Sequence, residues 1–350
     1  GYDMKADWRT FLVESGAELD CNLVMHYGNP GQELSVALTG NVFADLSHYG
    51  LLSAHGDDAL NFLQSQFSND LRLVDDNTSQ LSAYCSPKGR MLASFRVFRR
   101  GDTYYCRIPA ELLEPVLERL HIYVMQASVT LEDASEALIR MGVSGPDVVE
   151  ELGAVVGALP EQNNSAIHSD DMTVIRVPGE HPRFELYLAT LEMAKKVWDT
   201  LNVRCAPVGI NAWKLLEIEA GLPTIYPQTV DLFVPQMANM QLVEGVSFKK
   251  GCYPGQEIVA RMQYLGKLKR RMYLVRIETD AALKPGDELF ECADAEQSVG
   301  RIADAQLHPD GGYAALAVIQ ISSAAGGDIC LQGRDGANVR FDSLPYSFED

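Results

Sequence analysis

Eight consecutive residues, Lys250-Gly251-Cys252-Tyr253-Pro254-Gly255-Gln256-Glu257, bring together a thiol, a carboxylate, a primary amide, two glycines and a cation. They immediately precede Ile258, Val259, Met262 and Leu265, a spacing that predicts one apolar face of a helix. Cys252 follows a cation and a glycine and stands just before the expected helix start, where free backbone amides and the helix dipole favour an anion. These features favour the nucleophilic thiolate and make Cys252 the candidate reactive thiol. The commoner fate of a free cysteine is a small buried hydrophobe. No histidine lies close in sequence as a general base, so a hydrolytic Cys-His pair is not supported.

The neighbours suggest binding. Gly251 and Gly255 would let the backbone approach a ligand or adopt positive φ. Gln256 and Glu257 could donate to and accept from a flat heterocycle such as a pterin or purine edge. Lys249, Lys250 and Arg261 would suit a ligand's carboxylate tail, and nothing in the chain cradles a phosphate in Walker or Rossmann fashion. A second carboxylate stands out upstream. Asn211 to Gly221 predicts a helix with Trp213, Leu216 and Ala220 on one face, and Glu219 falls in its last turn. There a negative charge opposes the dipole by ~0.3–1 kcal/mol, a local rule broken without visible compensation.

The elements that must position these groups follow in order. The first forty residues read as a polar arm packed on a later domain, with Ser35-Val36-Ala37-Leu38 as a first strand. Phe43 to Leu46 and Leu51 to Gly56 read as strands. Asp57 caps a helix carrying Leu60, Leu63 and Phe67. Leu81 to Cys85 and Leu92 to Phe98 form a hairpin over Ser86-Pro87-Lys88-Gly89. A strand at Tyr104 to Ile108, a helix from Glu111 to Met125 with Pro115 in its first turn, and Val129 to Leu131 complete a unit. The same order recurs after Ala137, with strands at 173–177 and 183–188, a helix capped by Thr190 and a closing strand at 204–208. Short strands from Met272 onward suggest a small barrel. The expected fold class is α+β: two ferredoxin-like α+β units and a C-terminal small β-barrel, divided as arm 1–42, first unit 43–134, second unit 135–266 and barrel 267–350.

Composition narrows the function. A chain of 350 residues exceeds what one core usually supports. A net charge of −19 disfavours direct nucleic-acid binding by general phosphate attraction. One local exception exists: Lys249, Lys250, Arg261, Lys267, Lys269, Arg270, Arg271 and Arg276 face the single acid Glu257 between residues 249 and 276. The seven cysteines are odd in number with no C-x-x-C pair, so reduced cytoplasmic thiols are expected, with neither a zinc site nor a disulfide framework. No apolar run is long enough to span a membrane, and no signal peptide is evident.

Lys250-Gly251-Cys252-Tyr253-x-Gly255-Gln256-Glu257 resembles the signature of the YgfZ family of folate-binding proteins, relatives of the glycine-cleavage aminomethyltransferase. Phe62-Leu63-Gln64 with Asn69-Asp70, Cys85-x-x-Lys88-Gly89-Arg90 and Ile218-Glu219-Ala220-Gly221-Leu222-Pro223 extend the match from about residue 40 to the C-terminus. The resemblance implies three domains around a central hole, tetrahydrofolate or a one-carbon derivative as ligand, and a role in making or repairing iron-sulfur proteins that indirectly affects tRNA modification. It places Glu219 at the relative's pterin-binding glutamate. Lys250, Gln256, Glu257 and Arg261, suited by their chemistry, and Tyr84 are the further expected folate contacts. No metal ligand is implied. The aminomethyltransferase's catalytic aspartate falls at Ala93/Ser94 in the stretch Gly89 to Ser94, which argues against that activity. The alternatives are a folate-dependent one-carbon transferase with another acceptor and a direct tRNA-binding module; the partners implied are folate and iron-sulfur proteins or their assembly machinery, with no membrane.

Overall fold

The computed structural model describes residues 3–332 and 336–348 as a mixed α+β chain. Two compact units emerge. One comprises the chain up to Ala59, Leu73–Ser79 and Arg96–Leu216; the other comprises Leu60–Arg72, Gln80–Phe95 and the chain from Glu217.

In the first unit the opening segment is more ordered than its polarity suggests. A helix at Met4–Glu14 starts at Asp3, whose carboxylate accepts the Ala6 N–H. Its Trp8 stacks on Phe11 at 5.4 Å, and Phe11 meets Trp198 edge-on at 5.6 Å. Each large apolar side chain buried in this way stabilises by roughly 1.5–3 kcal/mol, enough to hold the arm on the helix Leu191–Leu201. Ser35 to Leu38, expected as a strand, lies instead in the helix Pro30–Thr39. The start signal decided the outcome: Asn29 accepts the Gln32 N–H and Pro30 occupies the first turn, so Leu34 and Ala37 are buried at helical spacing.

A six-stranded sheet runs in the order Ala166–His168, Met172–Val177, Arg183–Leu188, Ile139–Ser144, Val42–Asp45, Ala206–Val208. Val42–Asp45, read from sequence as the opening of the earlier strand set, pairs antiparallel with Ile139–Ser144 and parallel with Ala206–Val208. A separate strand, Tyr49–His55, is flanked antiparallel by Thr103–Pro109 and Thr130–Asp133, and the helix Ala110–Val124 packs against it. That helix begins at Ala110, which puts Pro115 in its interior rather than its first turn. Beneath these strands Glu185 is fully buried: Arg107 lies 3.1 Å away, Arg96 3.9 Å, and the Tyr187 hydroxyl donates to it at 2.6 Å.

The second unit carries the hairpin turn after Gln80–Cys85 and a curled antiparallel sheet, a six-stranded half-barrel in the order Ile329–Cys330, Glu288–Glu291, Asp294–Leu307, Tyr313–Gln320, Arg270–Ile277, Val339–Asp342. Val275, Ile277, Leu289, Ile302, Ala315, Ala317 and Ile319 fill its concave side. Cys292 and Cys330 are joined here by a disulfide, with Cα atoms 5.1 Å apart. This corrects the expectation of reduced thiols throughout. The two residues are 38 apart in sequence and meet only because their strands pair, Phe290 facing Cys330.

Candidate functional site

The residues singled out from sequence lie almost wholly in the second unit, around the helix Gln256–Tyr264. The loop before it is fixed at both ends. At its start Lys250 is buried, and its ammonium donates to three main-chain carbonyls: Gln64 at 2.6 Å, Phe67 at 2.5 Å and Asn69 at 2.9 Å. The Tyr253 ring lies 5.1 Å from the same nitrogen. Burial pushes the amine down to about 8, against an upward pull from the Asp70 carboxylate. With all three N–H groups engaged, Lys250 is a clamp for the loop rather than a partner for a ligand's carboxylate. The adjoining backbone is held in the same manner, the Asn69 amide donating to Glu244 O and the Ser247 N–H to Ser68 O.

At the loop's end Gly255 adopts φ +79° as the residue before the helix. A side-chain carbon added there would stand 2.5 Å from both Gly89 Cα and Ser86 O. Gly89, itself at φ +74°, would meet Ile258 Cβ at 2.8 Å. The two glycines therefore let two backbones touch, so that the Ser86–Arg90 turn carries the helix start. Gly251 has no such neighbour and no positive φ.

Between these anchors Cys252 is exposed. Among the described free cysteines only Cys21, on the hairpin of the first unit, shares that exposure. Cys85 is buried close behind the loop, and burial pushes its thiol up to about 12; burial also raises the Tyr253 hydroxyl. Cys252 is thus the accessible thiol of a loop anchored at Lys250 and at Gly255. No three His, Cys, Asp or Glu side chains gather as a metal site among the described residues.

The remaining expected contacts divide. Tyr84 is interior, its ring set edge-on to Phe67 with centroids 6.0 Å apart. Glu257 and Arg261 pair with each other at 3.3 Å on the exposed face of the helix. Gln256 is half-buried at the first position of the helix. Glu219 ends the helix Ile210–Glu219, and Arg276 reaches it at 2.7 Å from the half-barrel; Asp342 lies 3.1 Å from the same guanidinium nitrogen and His308 lies 3.9 Å from Glu219. Burial and the neighbouring Arg276 charge push the His308 imidazole below its ordinary range.

Arg276 supplies the compensation that the misplaced carboxylate lacked. Sequence reading missed this pair, although one signal was available: Arg276 follows the apolar run Met272 to Val275 and precedes Ile277, a setting in which a cation needs an acid, and Glu219 was the acid out of place. Tyr346 was also missed; its hydroxyl closes the same helix end by donating to Gly221 O at 2.7 Å. In the stretch Gly89 to Ser94, Ala93 is buried and the Ser94 hydroxyl accepts the Ile225 N–H at 3.3 Å.

Residues 29–250 match the model of the GCVT N-terminal domain family. Two curated proteins, each named tRNA-modifying protein YgfZ, are 30% identical to the chain. The one from Klebsiella pneumoniae (strain 342) matches over 92% of this chain and 98% of its own length, and the one from Edwardsiella ictaluri (strain 93-146) over 85% and 89%. The crystal structure of the glycine cleavage system aminomethyltransferase T from Bartonella henselae superposes with a TM-score of 0.79 over 96% of each chain at 18% identity, which shows a shared fold. With a family model covering most of the chain and relatives matched over nearly their full length, the chain belongs to the YgfZ family, within the GCVT N-terminal domain fold.

Proposed function

We propose that this chain acts in tRNA modification as a tetrahydrofolate-binding accessory protein, with the Cys252 loop carrying the step beyond binding and iron-sulfur proteins of the modification machinery as its clients. The observation that carries this reading is an exposed thiol in a loop anchored at both ends; the resemblance adds that the relative's catalytic aspartate would fall at Ala93/Ser94. The names of the curated relatives support the tRNA connection. One group supports folate as ligand: the Glu219 carboxylate, paired with Arg276 and a quarter exposed, can accept N–H groups of a pterin edge. Bound tetrahydrofolate would supply a one-carbon carrier. Gln256 could add an amide contact, whereas the Lys250 amine is already engaged.

Two experiments test the reading. Cys252→Ala should abolish complementation of a strain lacking the gene while the protein stays folded; full complementation would remove the thiol's role. Tetrahydrofolate titrated by calorimetry should bind the parent chain and bind Glu219→Ala at least tenfold more weakly; equal affinity would remove Glu219 from the site.

A further inference from the structure

The basic residues flanking the Cys252 loop are not one run along the chain. They converge from three segments onto the helix Gln256–Tyr264. The Ser86–Arg90 turn, seated on Gly255 and Ile258, brings exposed Lys88 and Arg90 to the start of that helix. Phe248, edge-on to Tyr264 with centroids 6.1 Å apart, brings exposed Lys249 to its other end. The helix itself presents Arg261, and the segment after it presents Lys267 and Lys269, both exposed. The acids on these elements are few. Glu257 pairs with Arg261, Asp231 accepts the Ser86 hydroxyl, and Glu244 is exposed.

A protein of net charge −19 repels polyanions over most of its surface, so a local group of six exposed cations fixes where and how one could dock. Among these cations two apolar side chains stand in solvent, Tyr264 at 65% and Leu265 at 84% exposure. A carboxylate-rich protein partner would use the charges and leave the tyrosine ring idle. A polyanion with flat faces uses both, because unpaired bases stack on aromatic rings while their phosphates meet lysine and arginine.

We infer that this face, formed by Lys88, Arg90, Lys249, Arg261, Tyr264 and Lys267–Lys269, binds an unpaired loop of RNA directly and brings it beside the exposed Cys252. The inference rests on the proposed role in tRNA modification only for the identity of the RNA. It goes beyond that role in making the contact direct, where an accessory protein could act through its clients alone.

The test is fluorescence anisotropy with an unmodified, transcribed tRNA, its isolated anticodon stem-loop, and a blunt duplex of the same length, repeated across a salt series. The expected result is binding to tRNA and stem-loop in preference to the duplex. Tyr264→Ala should weaken it about tenfold, as loss of one stacked base implies. The double variant Lys88→Gln/Arg90→Gln should lower the slope of log K against log salt by about 1.4, the loss of two single-strand phosphate contacts. Lys5→Gln/Lys196→Gln, which removes two exposed cations from the first unit, should change neither quantity. All substituted side chains are exposed, and unfolding curves check that each variant is folded. Absent binding, equal binding of duplex and loop, or indifference to Tyr264→Ala would each overturn the inference. A chain that supports tRNA modification in cells yet binds no RNA refutes this inference and leaves the proposed function standing. A chain that binds RNA while modification is unaffected by its deletion does the reverse.

Discussion

The two glycines of the motif should respond unequally to the same substitution. Gly255→Ala places a methyl group at a positive-φ position, which costs roughly 1–2 kcal/mol for an L residue. It also drives that methyl to 2.5 Å from Gly89 Cα and Ser86 O, main-chain atoms that cannot swing aside as a flexible side chain would. Overpacking of this kind adds roughly 1–3 kcal/mol, so a total loss of about 2–5 kcal/mol is expected. Gly251→Ala meets nothing within 4 Å at an ordinary φ and should stay within about 0.5 kcal/mol of the parent. Urea unfolding followed by far-ultraviolet circular dichroism measures both. A double-mutant cycle sharpens the test. Gly89→Ala should be destabilising, and Ile258→Gly should recover part of the loss in the double variant relative to its own cost, because the added methyl of residue 89 meets Ile258 Cβ and Cγ2, both of which glycine lacks. If Gly255→Ala and Gly251→Ala are equally mild, the close backbone approach does not hold the loop and the account of how Cys252 is presented fails.

Lys250→Met should destabilise by about 2–4 kcal/mol, since three carbonyls lose an ammonium donor in a buried setting, and hydrogen exchange should quicken across 64–70; an unchanged midpoint would contradict the clamp. The folded amine releases its proton near 8 whereas the unfolded one holds it to about 10.5, so the unfolded state binds more protons between those values. The stability of the parent relative to Lys250→Met should therefore rise as pH climbs from 8 to 10.5; a flat difference would show an unperturbed amine. Asp70 runs in the acid range: hydrogen bonding from Arg72 holds its carboxyl down to about 2, so its contribution is present above 3.8 and lost as pH falls through 2, and Arg72→Ala should flatten that limb of the acid titration. Arg276→Met and Glu219→Gln, alone and together, should show a coupling of about 1–3 kcal/mol by thermal unfolding; additive losses would mean the two do not act as a pair.

What the sequence revealed and what it hid divide along the range of the interactions. Thr190 capping Leu191–Leu201, the strand Arg183–Leu188 and the stop at Gly221 were legible because caps, alternation and glycine act within a few residues. The helix Pro30–Thr39 was misread because a four-residue apolar pattern fits either period, and only the Asn29-Pro30 start distinguishes them. The strand Val42–Asp45 was found but given the wrong neighbours, since pairing with Ile139–Ser144 leaves no local trace. The motif was legible as chemistry and opaque as mechanics. Its lysine looked like a ligand group until three carbonyls from residues 64 to 69 were seen around it, and the disulfide between Cys292 and Cys330 was hidden for the same reason.

The Lys250 clamp also bears on the order in which the chain can fold. Its three bonds span 181, 183 and 186 residues, among the most remote in the molecule. Closing so long a loop early would cost chain entropy that no local contact returns, so the bonds are expected to form late, after the strands between are paired. During synthesis the acceptor carbonyls emerge far ahead of their lysine and wait beside water. The Cys252 loop is therefore shaped only in molecules that have already assembled most of the chain, and incomplete or misfolded copies carry the thiol on an unshaped segment.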